Sequence, residues 1–310
     1  MSNCMLIKTL ISVLFLVASL TSHAGETITI VNPYGPGHSA TPAMLKIIQE
    51  ANSLQKEFTF VIEFKPGGNQ IIAVKYMDAM PTARLAIIAP AFVENTLKGD
   101  LNQADYVPVH ALGDACWAVI SNRGNEAGGI ASLRGEKELT VGGVGFGNAT
   151  HLTSLLAGEK YKFDTLYIIF KSNNDALINM VGGHGINFVI DRIESYEAFK
   201  EKYKLNVLAA SCPKRLDKAP HVKTLKEQGI DAPYIFNITV ANRLMPEATR
   251  NKLSKILDDA TMKIGAEQIA QLSGMNPPMF DKISTVKYYN DSIAKIMVLL
   301  SKFKSQIPER

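Results

Sequence analysis

The sequence predicts an α/β fold, in which strands and helices alternate to form mostly parallel sheets covered on both faces. The main observation is a pattern that recurs along the chain: a β-branched apolar run, a glycine-containing turn, then a segment of helical periodicity. Composition agrees, because 310 residues with 46% hydrophobic residues can bury a large core in one large domain or two. It also excludes a disordered chain, and the lack of a Lys- and Arg-rich segment argues against a nucleic-acid partner.

The first unit of this pattern follows a short leader. Residues 27–32 (TITIVN) predict a strand, and the turn after it contains Gly35 and Gly37. Thr41 is predicted to be the N-cap of the next helix. Pro42 then takes the first helical position, where its missing N–H costs nothing.

The pattern continues through the first half of the chain. Strands are predicted over residues 58–64 and 85–89, with a helix over 70–80 between them. The apolar segment 106–122 is longer than one ordinary strand. It is expected to break at residues 113–114 and to run from one domain into a second.

The second half repeats the alternation and ends in two amphipathic helices. Helices are predicted from residue 148 onward, over 246–264 and over 286–303. The predicted strands are residues 139–141, 165–170, 186–190, 205–210 and 234–241.

The first two dozen residues have the pattern of a signal peptide. Lys8 precedes an apolar run over residues 10–20, which is shorter than the ~20 residues that span a bilayer. Ser22 and Ala24 are the small residues that a signal peptidase requires. We expect cleavage after Ala24, a mature chain that starts at Gly25, and export to the periplasm; an uncleaved membrane anchor is the alternative.

Cysteine and histidine usage predicts neither a metal nor a cofactor. After cleavage Cys116 and Cys212 remain, and an oxidising compartment allows one disulfide, but the sequence leaves their pairing open. The histidines are scattered singly, without the spacing of a metal site.

Two turns carry the strongest functional signal, at residues 34–41 and 142–150. Each places glycine-rich backbone between a strand end and a helix start, where unpaired N–H groups and the helix dipole favour an anion. Two such turns facing each other across a cleft would hold a carboxylate. Taken alone, such a turn in an α/β protein is more often only a tight connection.

Other kinds of site are weaker. The turn at residues 142–147 lacks the dinucleotide pattern, and no phosphate-binding P-loop occurs. Ser39 beside His38 suggests an exported serine hydrolase, but the turn does not complete the G-x-S-x-G elbow. Asp191 and Arg192 end a buried run, so they either contact a ligand or form a solvated pair.

Taken in order, these turns resemble the receptors of the tripartite tricarboxylate transporter family, the Bug-type periplasmic solute receptors. The resemblance covers essentially the whole mature chain. Its motifs match residues 33–41, 65–69, 145–152, 169–172, 176–177, 182–183, 189–191 and 211–229.

That resemblance implies a type II periplasmic-binding fold, with two α/β lobes joined by crossing strands and a ligand cleft between them. The first lobe would comprise residues 25–115 and 236–310, and the second residues 116–235. The family implies a monomeric, non-enzymatic receptor that captures a small organic carboxylate and delivers it to integral-membrane permease subunits. A receptor that feeds a signalling partner is the alternative.

The resemblance also implies which residues line the cleft, with no catalytic and no metal-binding residue among them. Two positions depart from the family pattern: Thr41 replaces an aspartate and His38 replaces a glycine, which leaves the identity of the ligand open. The expected ligand-binding residues are Tyr34, Gly37, His38, Ser39, Thr41, Ala91, Gly145, Phe146, Asn148, Thr150 and Asp191.

Overall fold

The computed structural model describes residues 25–211, 214–233, 235–276 and 282–308, and the predicted signal peptide lies outside them. Its strands form two sheets, as an α/β fold requires. The six-stranded sheet contains, in chain order, β1 (Glu26–Asn32), β2 (Phe58–Phe64), β3 (Arg84–Ile88), β4 (Tyr106–Ala115), β10 (Phe236–Asn242) and β11 (Met275–Asn276). The five-stranded sheet contains β5 (Ala118–Ser121), β6 (Glu138–Gly143), β7 (Asp164–Ile169), β8 (Phe188–Asp191) and β9 (Asn206–Ala210).

Helices join the strands of each sheet. We call the six-stranded sheet with its helices the first lobe and the five-stranded sheet with its helices the second lobe. The first lobe contains α1 (Thr41–Leu54), α2 (Ile71–Asp78), α3 (Ala91–Leu97), α7 (Glu247–Ile264), α8 (Ala266–Ser273) and α9 (Lys282–Lys302). The second lobe contains α4 (Ala149–Tyr161), α5 (Asn173–Val181) and α6 (Ile193–Glu197).

Both sheets are mixed, so the prediction of mostly parallel sheets is wrong. In the first lobe β1 pairs in parallel with β2 and β3, whereas β10 pairs antiparallel with β3 and β4. In the second lobe β6 pairs in parallel with β7 and β8, whereas β5 pairs antiparallel with β8 and β9. Helical crossovers impose parallel pairing. The strands β4, β5 and β10 instead stand next to the segments where the chain crosses from one sheet to the other. They have no helical crossover on that side, so they can pair antiparallel.

The first helix starts one residue earlier than predicted. Ala40 is the N-cap, so Thr41 is already helical and Pro42 follows it at the second position. The Thr41 side chain does not cap the helix, because it is buried and its hydroxyl accepts a hydrogen bond from the Asn32 side chain at 3.5 Å. The turn before the helix is itself hydrogen-bonded: the Thr41 N–H donates to the His38 carbonyl at 3.0 Å. The helix therefore follows this turn without a break.

The long apolar segment breaks later than predicted. Gly113 has φ +108° and lies at a register shift against Asn237, so β4 bulges there and continues to Ala115. The break falls at residues 116–117, where the chain leaves the first sheet. Glycine at the bulge relieves backbone strain without ending the strand.

Between the lobes, backbone hydrogen bonds join residues 115–117 to three other parts of the chain, at residues 211, 235 and 274. Ala115 N–H donates to the Ile235 carbonyl at 2.8 Å, and Cys116 N–H donates to the Gly274 carbonyl at 2.7 Å. Ser211 N–H donates to the Trp117 carbonyl at 2.9 Å. These bonds make a compact hinge, while the predicted lobe boundaries at 115/116 and 235/236 stay a prediction.

The two lobes also share buried apolar packing. Leu152 and Leu155 of α4 lie in one cluster with Leu299 and Leu300 of α9.

Within the described ranges, no helix combines the length and apolar character needed to cross a membrane. Cys116 is disulfide-bonded; Cys212 lies outside the described residues.

Candidate functional site

The turn after β1 presents a stacked aromatic pair. The rings of Tyr34 and His38 are parallel within 6°, with centroids 3.7 Å apart. His38 Nδ1 accepts the Ala40 N–H at 3.2 Å, which leaves Nε2 as the protonated nitrogen of a neutral ring. Burial, assisted by the nearby Arg192 charge, lowers the pKa of His38 to about 4. The ring is therefore a neutral hydrogen-bonding group at pH 7.

Gln70 links the three turns at this edge of the first sheet. Its Nε2 donates to the Tyr34 hydroxyl at 3.1 Å, and its Oε1 accepts the Ala89 N–H at 2.9 Å. Tyr34 follows β1, Gln70 follows β2 and Ala89 follows β3. A single buried amide thus holds the three turns in register.

The backbone of the turn after β2 is strained. Four consecutive residues have positive φ, and two of them, Asn69 at +52° and Gln70 at +78°, are not glycine. Positive φ costs a side-chain-bearing residue on the order of 1 kcal/mol, and such strain is concentrated at functional sites. The turn keeps this conformation because both side chains have buried hydrogen-bonding partners.

Asn69 and Glu94 bring the first lobe against the second. The Asn69 side chain donates to Glu94 Oε2, and Lys98 Nζ lies 2.6 Å from Glu94 Oε1. A Cβ added to Gly145 would lie 2.9 Å from Asn69 Oδ1, and one added to Gly147 would lie 3.0 Å from Glu94 Oε2. The glycines of the second-lobe turn therefore allow the two sets of turns to touch.

Glycine is required at the end of β6 for packing. A Cβ on Gly143 would lie 1.9 Å from the Tyr167 hydroxyl, and one on Gly142 would lie 2.7 Å from the Ala176 side chain. The Tyr167 hydroxyl donates to Asn148 Oδ1 at 3.3 Å and also hydrogen-bonds the Gly145 backbone. These close contacts position the start of α4.

Asn148 and His151 complete the turn after β6. Asn148 is the N-cap of α4, because its Oδ1 accepts the His151 N–H at 3.0 Å. His151 Nδ1 accepts the Gly147 N–H at 3.0 Å, and burial lowers the pKa of His151 to about 4. The Phe146 ring packs on His151 and Tyr167, with centroids 5.3 and 5.7 Å apart.

Trp117 and Arg192 lie at the hinge end of the site. The Trp117 ring is 6.5 Å from the His38 ring, and Arg192 contributes charge at His38. Trp117 Nε1, Arg192 Nε and Asp191 Oδ2 are buried without a hydrogen-bond partner. The other carboxylate oxygen of Asp191 accepts the Arg192 N–H at 2.8 Å, and burial raises the pKa of Asp191.

The predicted site residues fall into distinct environments. Thr41, Ala91, Gly145, Asn148, Thr150 and Asp191 are buried. Tyr34, His38, Ser39 and Phe146 are half-buried, and Gly37 is exposed with open space around it. Tyr34 stacks on His38, and Gly145, Phe146 and Asn148 share the cluster around Tyr167. Thr41 faces its own lobe, and Asp191 lies apart at the hinge.

Sequence reasoning missed Gln70 and Glu94. Only the glycine pair of the preceding turn hinted at a special backbone near Gln70, and Glu94 lies on a helix, α3, that the periodicity did not predict. Among the described residues, no group of three His, Cys, Asp or Glu side chains could hold a metal ion.

Comparison with known proteins identifies relatives by sequence. A family model for the tripartite tricarboxylate transporter family receptor matches residues 129–304. The UPF0065 protein in the gbd 5′ region of Cupriavidus necator is 29% identical over 126 residues, which are 41% of this chain. That match spans only 37% of the relative's length.

Two solved structures share the fold. The periplasmic binding protein BugD has a TM-score of 0.73 at 17% identity, covering 89% of this chain and 97% of that chain. MatC from Rhodopseudomonas palustris, with bound malate, has a TM-score of 0.71 at 17% identity, covering 88% and 98%. At these identities the likeness shows the fold alone, and it confirms the predicted two-lobed periplasmic-binding architecture.

Proposed function

Because the chain belongs to the tripartite tricarboxylate transporter family of receptors, we propose that it captures a small organic carboxylate between its two lobes. The observation that carries this proposal is the contact between the lobes at the second-lobe turn, where Gly145 meets Asn69 of the turn after β2 and Gly147 meets Glu94 of α3. MatC, which shares the fold, binds malate. That neighbour supports a carboxylate as the ligand.

Main-chain N–H groups would supply most of the grip. The first N–H groups of a helix have no partner inside the helix, so those of Ala149 and Thr150 at the start of α4 can donate to a carboxylate. Such charge-assisted bonds are about twice as strong as neutral ones. Tyr34, His38, Ser39 and the amide of Asn148 would add side-chain contacts, and Phe146 an apolar wall.

Ligand binding would shift an equilibrium between open and closed lobes. A ligand shifts such an equilibrium only by its difference in affinity for the two states. Contacts from both lobes exist only when the lobes are closed, so the ligand favours closure around the hinge at residues 115–117. The closed form would be the one that the membrane partner recognises.

The hydrolase alternative at Ser39 is set aside. The family consists of receptors, and its structural neighbours are binding proteins as well. His38 is also unsuited to activate Ser39, because its Nδ1 is engaged by the Ala40 N–H and its ring stacks on Tyr34.

A ligand screen tests the receptor function. Purified protein is heated with single mono-, di- and tricarboxylates, aromatic acids and amino acids, and unfolding is followed by dye fluorescence. A ligand at 100 times its Kd stabilises the native state by about 2.7 kcal/mol, which gives a clear shift. Absence of a shift with every compound, in protein that retains no acid from the cell, would contradict the proposal. Mass spectrometry of denatured protein checks for acid retained from the cell.

We further propose export to the periplasm and delivery to permease subunits of a tripartite transporter. N-terminal sequencing of protein from the periplasmic fraction should begin at Gly25. Deleting the gene should abolish uptake of the identified acid, and a plasmid copy should restore it. Normal uptake with a lost transcriptional response to the acid would favour the signalling alternative instead.

A further inference from the structure

One edge of the second-lobe sheet presents main-chain groups that no strand pairs. The strand β7 lies at that edge and, within the described residues, pairs with β6 alone. Asp164 and Phe170 donate their N–H groups, at 2.8 and 2.7 Å, to carbonyl groups of the neighbouring segment, residues 137–143. Main-chain groups alternate sides along a strand, so the even-numbered residues of β7 face β6 and the odd-numbered ones face outward. The outward residues are Thr165, Tyr167 and Ile169.

The exposed side chains of β7 between its ends are apolar. Leu166 is 49% exposed, Ile168 37% and Ile169 43%. Between Asp164 and Lys171 the sequence contains neither a charge nor a proline. Natural sheets use such residues to protect a free edge, because an unprotected edge pairs readily with another strand. This edge therefore has the properties of one that is covered.

The other edge strands of the two sheets are protected. The strand β2 carries Glu63, which forms an ion pair with Lys65 at 3.3 Å. The strand β11 has only two residues. The strand β9 is covered, because the Ala210 N–H donates to the Lys223 carbonyl at 3.1 Å and the Leu225 N–H to the Ala210 carbonyl at 2.9 Å. Among the edge strands that the structure describes, β7 alone lacks such protection.

We propose that β7 pairs with β7 of a second copy of this chain, antiparallel across a two-fold axis, so that the two five-stranded sheets become one. Outward-facing residues then oppose outward-facing residues and exchange their main-chain hydrogen bonds. The register with Tyr167 on the axis meets this condition and places Thr165 opposite Ile169 of the second copy. On the exposed face it places Leu166 opposite Ile168, so these apolar side chains cover one another.

Charge supports the same arrangement. Asp164 and Lys171 are exposed at the two ends of the uncharged segment, and neither has an ion-pair partner in the described part of the chain. The antiparallel register places Asp164 opposite Phe170 of the second copy, next to its Lys171, and the two-fold axis repeats this pair. An identical edge therefore supplies the opposite charge at both ends. A parallel pairing would bring like charges together instead.

Sedimentation velocity over a series of concentrations tests this dimer against the monomer that the family resemblance implies. Purified protein should sediment as one chain when dilute, and its mass should approach that of two chains as the concentration rises through the micromolar range. Association should be weak because a single pair of strands forms a small interface. The mass of one chain at every concentration would overturn the proposal.

Two matched substitutions locate the interface. Ile168→Lys puts a charge on the exposed face of the edge, against Leu166 of the second copy, and should raise the Kd of the dimer about tenfold or more. Val61→Lys is the control, because Val61 is also 37% exposed and lies on β2, an edge strand of the other sheet. It should leave the Kd within about twofold. A dimer that survives Ile168→Lys, or that both substitutions weaken equally, would overturn the assignment to β7.

Charge reversal tests the register, and it alters no apolar residue should Ile168→Lys fail to fold. Asp164→Lys and Lys171→Asp should each weaken the dimer severalfold, since each replaces an opposite pair by a like pair. The double variant restores opposite charges and should recover the Kd of the unaltered protein. No effect of either reversal, or no recovery in the double variant, would overturn the antiparallel register.

Discussion

At the scale of single residues, Gln70 shows how one side chain organises a site. Gln70→Ala should lower the free energy of unfolding by about 1–3 kcal/mol, because the buried Ala89 N–H loses its acceptor. Urea unfolding measures the change. Gln70→Gly removes the same bonds but suits φ +78°, so it should be about 1 kcal/mol more stable than the alanine variant. Equal stability of the two variants would contradict the assignment of strain. The exposed Gln49→Ala serves as the control.

Gly143, at the end of β6, and Gly37, in the turn after β1, should respond differently to substitution by alanine. Gly143→Ala should cost about 1–3 kcal/mol of stability, because its Cβ would collide with the Tyr167 hydroxyl. Gly37→Ala should stay within about 0.5 kcal/mol of the unaltered protein, since φ is not positive there and nothing lies within 4 Å. Chemical denaturation of both variants measures their free energies of unfolding. A tolerated alanine at position 143 would contradict the packing argument.

Residue chemistry was partly predictable. The glycine-rich turns, His38 and Asn148 were recognisable because residue type alone implies a special backbone or a polar group. Gln70 and Glu94 were not, since an ordinary glutamine or glutamate acquires its role only from partners distant in sequence. Their hydrogen bonds reach Tyr34, Ala89 and Asn69.

At the scale of elements, β4 carries a half-buried acid, Asp114, close to the hinge. Burial raises the pKa of Asp114 to about 6, against a hydrogen bond from the Tyr288 hydroxyl that opposes the shift. A carboxyl whose pKa is raised by folding stabilises the protein fully below about pH 4. That stabilisation is lost as the pH rises through about 6.

Asp114→Asn should remove this pH dependence. At pH 8 the variant should be more stable than the unaltered protein by up to about 3 kcal/mol, and the difference should shrink to near zero below pH 4. Urea unfolding at several pH values measures both curves. Asp100→Asn, at an exposed position, should leave the difference flat. A variant that is less stable at pH 8 would show that the charged form of Asp114 is the favoured one.

The prediction of strands and helices succeeded where the hydrophobic periodicity was strong. It failed where the structure of a segment depends on its tertiary surroundings. The strands β1 and β2 and the helix α7 match their predicted positions closely. The helices α3, α5, α6 and α8, which have five to nine residues, were missed because such short segments show little periodicity. Parallel pairing was wrongly expected for the strands next to the crossings between the lobes. The direction of such a strand depends on which sheet the chain enters, and the sequence does not show that.

At the scale of the whole molecule, closure depends on how tightly the lobes can meet. Gly147 has φ +69°, and a Cβ there would press on Glu94 and Leu300 of the first lobe. Gly147→Ala should therefore hinder closure and raise the Kd for the tightest acid of the screen at least tenfold, about 1.4 kcal/mol. Titration calorimetry measures the affinity.

Gly183→Ala provides the matched control for that variant. Gly183 has φ +78° but no atom within 4 Å of the added Cβ, so it carries the backbone strain without a contact between the lobes. Both variants should lose about 1 kcal/mol of stability, while only Gly147→Ala should lose affinity. Equal losses of affinity would show that strain in the second lobe, and not closure, explains the effect.

Trp117 makes closure directly observable. It is the only tryptophan of the chain and lies at the hinge, beside His38. Addition of an acid that binds should change the Trp117 fluorescence emission. The change should saturate, and its midpoint should match the Kd measured by calorimetry. An acid that binds without any change in emission would contradict movement at this hinge.

The sequence by itself determined the α/β class, most strand and helix positions, the glycine-rich turns and the resemblance to a receptor family. These follow from local periodicity, residue type and motif order, which are properties of neighbouring residues. Only the tertiary structure decided the mixed sheets, the bridging role of Gln70, the contact of Glu94 with the second lobe, and the unpartnered donors of Trp117 and Arg192. Each of these depends on residues that are distant in the chain and that meet only because the two sheets fold and pack together.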